Sequence, residues 1–311
     1  MRKLYRIPTV FLFWTQVVFS IRVGLIFLLA CLPLPAIASE SAWVLPRDSS
    51  YVEIQAGYGR LVDQGQNLQQ MGLTAHLEQG FLETATLLLD FPFLTRVLER
   101  PGQTPATLVN NGLTDIGIGT RIRLIDEPFG LSLRGMLRAP LGYDPSFVPI
   151  LGEHSLDIEA ALQAGYAFYP LQAYVQGGLG YRFRLRYDKF HARLASEPSL
   201  EKPSDQVLGF VEAGVWILPQ LFASLTLSAE LGMAQAQAFT QSQLLLQPLL
   251  AWRVNPYVDL SLQLNQSLWS QGQVFGTQVL AGAHFRFGQP LERGMGLRGG
   301  EVDYAERDDS L

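Results

Sequence analysis

From residue 39 onward the hydrophobic pattern has a period of two. Ile116, Ile118, Thr120, Ile122 and Leu124 interleave with Asp115, Gly117, Gly119, Arg121 and Arg123. Val258, Leu260, Leu262 and Leu264 alternate with Asp259, Ser261, Gln263 and Asn265, and 223–231 reads the same way. Successive strand side chains point to opposite faces, so each segment has one greasy face and one wet face. Twelve such segments can be marked, at 50–60, 72–80, 83–92, 114–125, 129–140, 154–168, 171–187, 206–218, 221–234, 243–254, 256–269 and 274–287. Short connections at 80–83, 125–129, 169–171, 219–220 and 255–256 alternate with longer ones at 61–71, 93–113, 141–153, 188–205 and 235–242. The link at 270–273 is short where the alternation asks for a long one. An even strand count with short turns at one end and long loops at the other predicts an all-β fold: an antiparallel up-and-down transmembrane β-barrel of about 12 strands.

A soluble β-sandwich would alternate too. Two features favour the membrane: segments of ten or more residues, where ordinary strands have about five or six, and aromatics at strand ends. Tyr166, Phe168, Tyr181, Tyr187 and Phe287 sit where interfacial girdles form. Pro248 makes the tenth segment the weakest, because proline removes a ladder hydrogen bond. Glycines such as Gly117, Gly119, Gly178 and Gly180 suit a curved wall.

The first 38 residues read as an export signal. Arg2, Lys3 and Arg6 precede apolar stretches at 7–19 and 23–36, and Ala36-Ile37-Ala38 is a small-x-small cleavage pattern that would leave Ser39 first. Two rivals are a lipoprotein signal at Cys31 and an uncleaved anchor, which Arg22 interrupts. Without this segment, 19 basic residues face 28 acidic ones and the net charge falls from −5 to −9. That balance argues against nucleic acid as a partner. Cys31 is the sole cysteine, so the mature chain would have no disulfide and no thiolate ligand. Phe287 closes a strand of the kind the barrel assembly machinery reads, yet 24 residues follow it. The organisation is therefore a signal peptide at 1–38, an outer-membrane barrel at 39–287 and an acidic disordered tail at 288–311, in a Gram-negative-type bacterium.

If the apolar faces meet lipid, their partners point into a lumen. The inward set on strands four to seven includes Arg121, Arg123, Arg134, Arg138, Arg182, Arg184 and Arg186, with Asp115, Asp157 and Glu159. The other strands contribute Glu53, Glu78, Asp90, Glu212, Glu230 and Asp259, with Arg253 as the basic exception. A basic arc would thus face a mostly acidic one, and a low-dielectric wall would focus the field between them. The candidate solute-lining residues are these seven arginines with Glu212, Glu230 and Asp259. The competing reading is structural, with charges pairing across strands to fill a narrow barrel; Arg138, Glu159 and Arg182 could form such a ladder.

Catalytic signals are thin. His76, His154, His191 and His284 show no metal-protease spacing. His154 and Ser155 are adjacent, so on a strand they would face opposite ways. No metal site and no cofactor is expected.

The run Gly112-Leu113-Thr114-Asp115-Ile116-Gly117-Ile118-Gly119-Thr120-Arg121-Ile122-Arg123-Leu124 resembles a strand of the outer-membrane barrels usually labelled "MetA-pathway of phenol degradation". Arg138-Ala139-Pro140-Leu141-Gly142-Tyr143-Asp144 is similar to their next strand end, and Glu78–Glu83 followed by Leu89–Pro92 to their second hairpin. The resemblance covers about residues 70–145 and rests on hairpin grammar. It implies a channel for aromatic or other small organic compounds. The expected function is an outer-membrane channel or transporter for small solutes, aromatic or anionic ones among them, through a charge-lined lumen. The partners are outer-membrane lipid, small solutes and the assembly machinery. The alternatives are a plugged structural or assembly barrel acting through loops or tail, and a lipid-modifying enzyme.

Overall fold

The computed structural model describes residues 41–288 apart from 64–65, 103–105, 144–147, 150, 154, 169–170, 187–201 and 234–237. The proposed signal peptide and, beyond Gly288, the proposed tail lie outside the described residues, as do His154, Tyr187 and His191. The strands are β1 (Ser50–Asp63), β2 (Gln66–Leu82), β3 (Ala85–Glu99), β4 (Thr107–Leu113), β5 (Asp115–Ile125), β6 (Gly130–Pro140), β7 (Ser155–Phe168), β8 (Ala173–Arg186), β9 (Lys202–Pro203), β10 (Gln206–Leu218), β11 (Leu221–Gly232), β12 (Ala238–Phe239), β13 (Ser242–Asn255), β14 (Val258–Gln271) and β15 (Phe275–Phe287).

Neighbours in sequence pair antiparallel around the wall. β1 also pairs with β15, from Ser50↔Phe287 to Val62↔Phe275, and β2 with β3, so the sheet closes on itself. Twelve strands make the closed wall. β4 is an extra strand on the track of β5: β3 pairs Phe93↔Leu113 and Asp90↔Gly117, so three residues oppose two and the wall bulges at Thr114. β9 and β12 form a separate two-stranded parallel pair.

The burial pattern is inverted relative to a soluble protein. Outward Ile118, Leu179 and Leu262 are 51%, 58% and 56% exposed, while inward Arg121, Gln163 and Asp259 are fully buried. Only an apolar surrounding makes such a surface favourable. Tyr166, Phe168 and Phe287 rim the band at the short-turn end, and Tyr58, Tyr181 and Trp269 rim the other.

Two expected loops are largely strand. Residues 61–71 were expected to connect, but β1 and β2 run on until Asp63 pairs with Gln66. Most of 93–113 is the outer half of β3 and all of β4. Both lie beyond the apolar band, where alternation of greasy and wet residues is no longer required. Amide and charged side chains link the strands instead: Gln69 Nε2 donates to Glu99 (2.9 Å) and Arg96 Nε to Gln70 (2.8 Å). Pro248 does lie within β13. The ladder to β14 skips 247–248, while Leu225↔Pro248 holds on the β11 side.

Candidate functional site

The segment before β1 enters the barrel at its short-turn end. Ser41, Ala42, Trp43, Val44 and Leu45 are all buried. Their backbone is held by wall side chains: Ala42 N donates to Gln176 Oε1 (3.0 Å), Leu45 N to Thr86 Oγ1 (2.8 Å), and Arg121 Nη1 to the Trp43 carbonyl (3.4 Å). Asp48 N then donates to the Gly80 carbonyl (2.9 Å), and Gly80 N to Ser49 O (2.8 Å). Glycine is required at 80, because a Cβ there would fall 1.9 Å from the Pro46 carbonyl oxygen. Trp43 packs edge-on against Tyr174, 5.6 Å between ring centroids, and over bare backbone at Gly165. Tyr51, Tyr174, Phe222 and Ala251 complete the apolar cluster around it. The mouth of the lumen is therefore filled by residues 41–45, while Arg47 and Asp48 are exposed on the way to β1. Nothing in the pattern of Ser41–Leu45, which has neither a period nor a charge, marks this seat in the sequence.

Above this plug, the arginines are committed to partners. Glu159, with no exposed side-chain surface, lies 2.7 Å from Arg182 Nε, 3.0 Å from Arg138 Nε and 3.5 Å from Arg134 Nη1. The ladder Arg138–Glu159–Arg182 is thus present. It continues from Arg138 to Asp90 (3.4 Å), to His76 (2.5 Å from Asp90), to Glu78 (3.1 Å from His76) and to Arg121 (3.1 Å). At its other end Arg182 reaches Glu230 (3.3 Å). Arg184 is fully buried and gathers Glu153 (3.3 Å), Asp157 (3.8 Å), Gln206 (2.9 Å) and Gln241 (2.5 Å). Two of the seven arginines stand apart. Arg123 sits at the short-turn rim, partly exposed, donating to Asp126 (3.2 Å) and to the Glu83 carbonyl (2.7 Å). Arg186 lies opposite Ser155 on β7, and its side chain is outside the described residues.

On the facing arc the acids are joined by partners that the charge pattern does not mark. Asp259 is held by Arg286 and by Arg253 (3.2 Å); Arg286, on the closing strand, had not been counted. Glu212 accepts from Tyr174 Oη, from Gln176 Nε2 (3.0 Å) and from Thr226 Oγ1 (2.9 Å). Between them runs a belt of neutral amides across β1, β14 and β13. Gln55 Nε2 donates to Gln263 (3.5 Å), Gln263 Nε2 to Asn265 (2.7 Å), and Gln247 Nε2 also to Asn265 (3.1 Å). The two arcs therefore carry paired ions and, on the facing side, neutral amides beside the acids. They enclose a cavity of ≈ 360 Å³, which Glu53, Asp90, Arg138 and Glu212 share with the amides, His76 and His284. His284 bridges Tyr51 Oη (2.7 Å) and Ser261 Oγ (2.6 Å). Counting charges alone missed the amides and both histidines.

Ser155 donates to Asp157 (2.5 Å) rather than to a base. Among the described residues no group of three or more His, Cys, Asp or Glu side chains is placed to hold a metal ion.

No protein-family profile matches the chain, and no curated protein matches it in sequence. Solved structures share its fold. An outer membrane channel from Pseudomonas putida F1 superposes with a TM-score of 0.64 at 13% identity, covering 81% of this chain and 100% of that one. The translocator domain of the autotransporter NalP from Neisseria meningitidis gives 0.44 at 11% identity, over 77% and 88%. KdgM porin gives 0.40 at 9% identity, over 76% and 99%. By fold the chain is an antiparallel β-barrel of the outer-membrane type, and of these three the Pseudomonas channel shares its overall architecture.

Proposed function

We propose that this barrel is an outer-membrane channel for small solutes, closed at its short-turn end by its own residues 41–45. The observation that carries the reading is the polar-lined cavity above a plug that is not part of the wall. Residues 41–45 are held by hydrogen bonds from side chains and by the packing of Ala42, Trp43 and Leu45 rather than by a strand ladder, so they can leave without unzipping a strand. The exposed apolar band and its aromatic rims support an outer-membrane location, with lipid around the wall. Cleavage after Ala38 would place the plug at the start of the mature chain. The assembly machinery would read β15, which ends at Phe287. The arginines give no support to an anion pathway, because the buried ones are tied to carboxylates.

A second reading, a permanently plugged structural barrel, is favoured by the same ion pairs, since they fill one side of the lumen. Planar-bilayer recording separates the two. Refolded chain 39–311 is expected to open rarely, and a version lacking 41–46 to conduct steadily. A folded, heat-modifiable barrel that stays silent after the deletion overturns the channel.

A further inference from the structure

Resting on the channel reading, we propose that the mid-lumen cavity is a binding site for an uncharged polyhydroxylated ring compound of monosaccharide size. The first observation is how the charges facing it are engaged. Asp90 is hydrogen-bonded to His76 and ion-paired with Arg138, and Arg138 is also ion-paired with Glu159. Glu212 already accepts three hydrogen bonds. Glu53 lies 3.3 Å from Tyr51 Oη and 4.0 Å from His284. A charged solute would lose its hydration in a narrow lumen and meet counter-charges that are already engaged, a costly exchange.

The second observation is the uncharged surface. Thr74, Ser224 and Gln278 line the cavity. Unlike their neighbours, they show no side-chain hydrogen bond among the described residues. Of the belt amides, Gln263 keeps one donor and one acceptor, and Asn265, whose Oδ1 already accepts twice, keeps its two donors. Between these polar groups lie leucine methyls pressed onto bare backbone. A Cβ at Gly57 would come 2.3 Å from Leu280 Cδ2, and one at Gly72 2.7 Å from Leu94 Cδ2. The glycines thus let two apolar patches sit flush with the wall on β15 and β3. Hydroxyl-binding groups around flat methyl patches match a ring with hydroxyls at its edge and C–H groups on its faces. The volume, ≈ 360 Å³, falls in the lower part of the range of small-molecule pockets, about 300–1,000 Å³.

The test uses refolded chain 39–311, with and without 41–46, titrated calorimetrically with methyl α-D-glucopyranoside, choline chloride and sodium benzoate. The saccharide is expected to bind and the two charged probes to bind at least tenfold more weakly. The double variant Ser224→Val with Gln278→Leu, checked for folding by heat-modifiability, is expected to weaken saccharide binding about tenfold, the loss of roughly two neutral hydrogen bonds. The site is overturned by the absence of saccharide binding in both forms, by choline or benzoate binding as tightly, or by binding that the double variant leaves intact. Conduction without saccharide binding overturns this site and leaves the channel. Saccharide binding in a non-conducting barrel does the reverse.

Discussion

Glu159→Gln tests whether the charged side of the lumen is a structural core. The carboxylate has no exposed side-chain surface and is shared by Arg182, Arg138 and Arg134 at 2.7, 3.0 and 3.5 Å. Glutamine keeps the shape and one acceptor oxygen but removes the charge the three guanidinium groups share. Arg138 retains Asp90 at 3.4 Å and Arg182 retains Glu230 at 3.3 Å, so compensation is partial. Removing one partner of a buried pair costs roughly 3–5 kcal/mol; the retained acids place this case near the lower end, about 3 kcal/mol. The assay is urea unfolding of the refolded protein in lipid vesicles, followed by tryptophan emission, with the slope against urea unchanged. Arg123→Gln is the matched control. Arg123 and Asp126 are 30% and 49% exposed, so its loss should stay below about 1 kcal/mol. A Glu159→Gln effect as small as that of Arg123→Gln would falsify the reasoning, because it would mean that water screens the ladder.

Trp43→Ala and Gly165→Val attack the plug from opposite sides of one contact, since a Cβ at 165 would lie 2.8 Å from the Trp43 ring. Removing a packed tryptophan costs about 3–5 kcal/mol, so either change should raise the open fraction in bilayers by about a hundredfold or more; no change in either means that Trp43 does not hold the gate. Arg184→Gln should leave the reversal potential in a salt gradient unmoved while lowering the unfolding midpoint, since Arg184 holds Glu153 and Gln241; loss of an anion preference would return the arginine row to the transport pathway. Asp259→Asn leaves Arg253 and Arg286 buried against a neutral amide. It should lower the unfolding midpoint as Glu159→Gln does, and an unchanged midpoint would show the pair of arginines to be hydrated.

The wall was legible because lipid on one side and water or polar packing on the other impose alternation on every crossing strand. It became illegible where that constraint ends. Gln66, Asn67, Gln69 and Gln70 read as a loop, although they extend β2 beyond the apolar band. The ladder through Glu159 could be read because its members lie on consecutive strands. The Asp259–Arg286 pair was missed because Arg286 looked like part of a terminal strand rather than of the lumen. The plug could not be read, since Ser41–Leu45 has no period and its partners, such as Gln176, are 134 residues away. The cavity's amides carry no charge and so left no mark in a reading built on charges.

The spacing of the ion pairs along the chain bears on how such a barrel is assembled. Glu159 lies 25 residues from Arg134 and 23 from Arg182, while Glu78 and Arg121 are 43 apart. Every link of the ladder from Arg121 to Arg182 lies within one strand or joins strands close in synthesis order. A wall that forms hairpin by hairpin can thus carry its arginines across lipid already neutralised by local partners. Seating of residues 41–45 follows the opposite rule. These residues are made before every strand of the wall, yet Phe222 and Ala251 of their seat come from the second half of the chain, and the wall shuts only when β1 meets β15. Neutralisation is early and local, whereas occlusion of the mouth must wait for the ring to be completed.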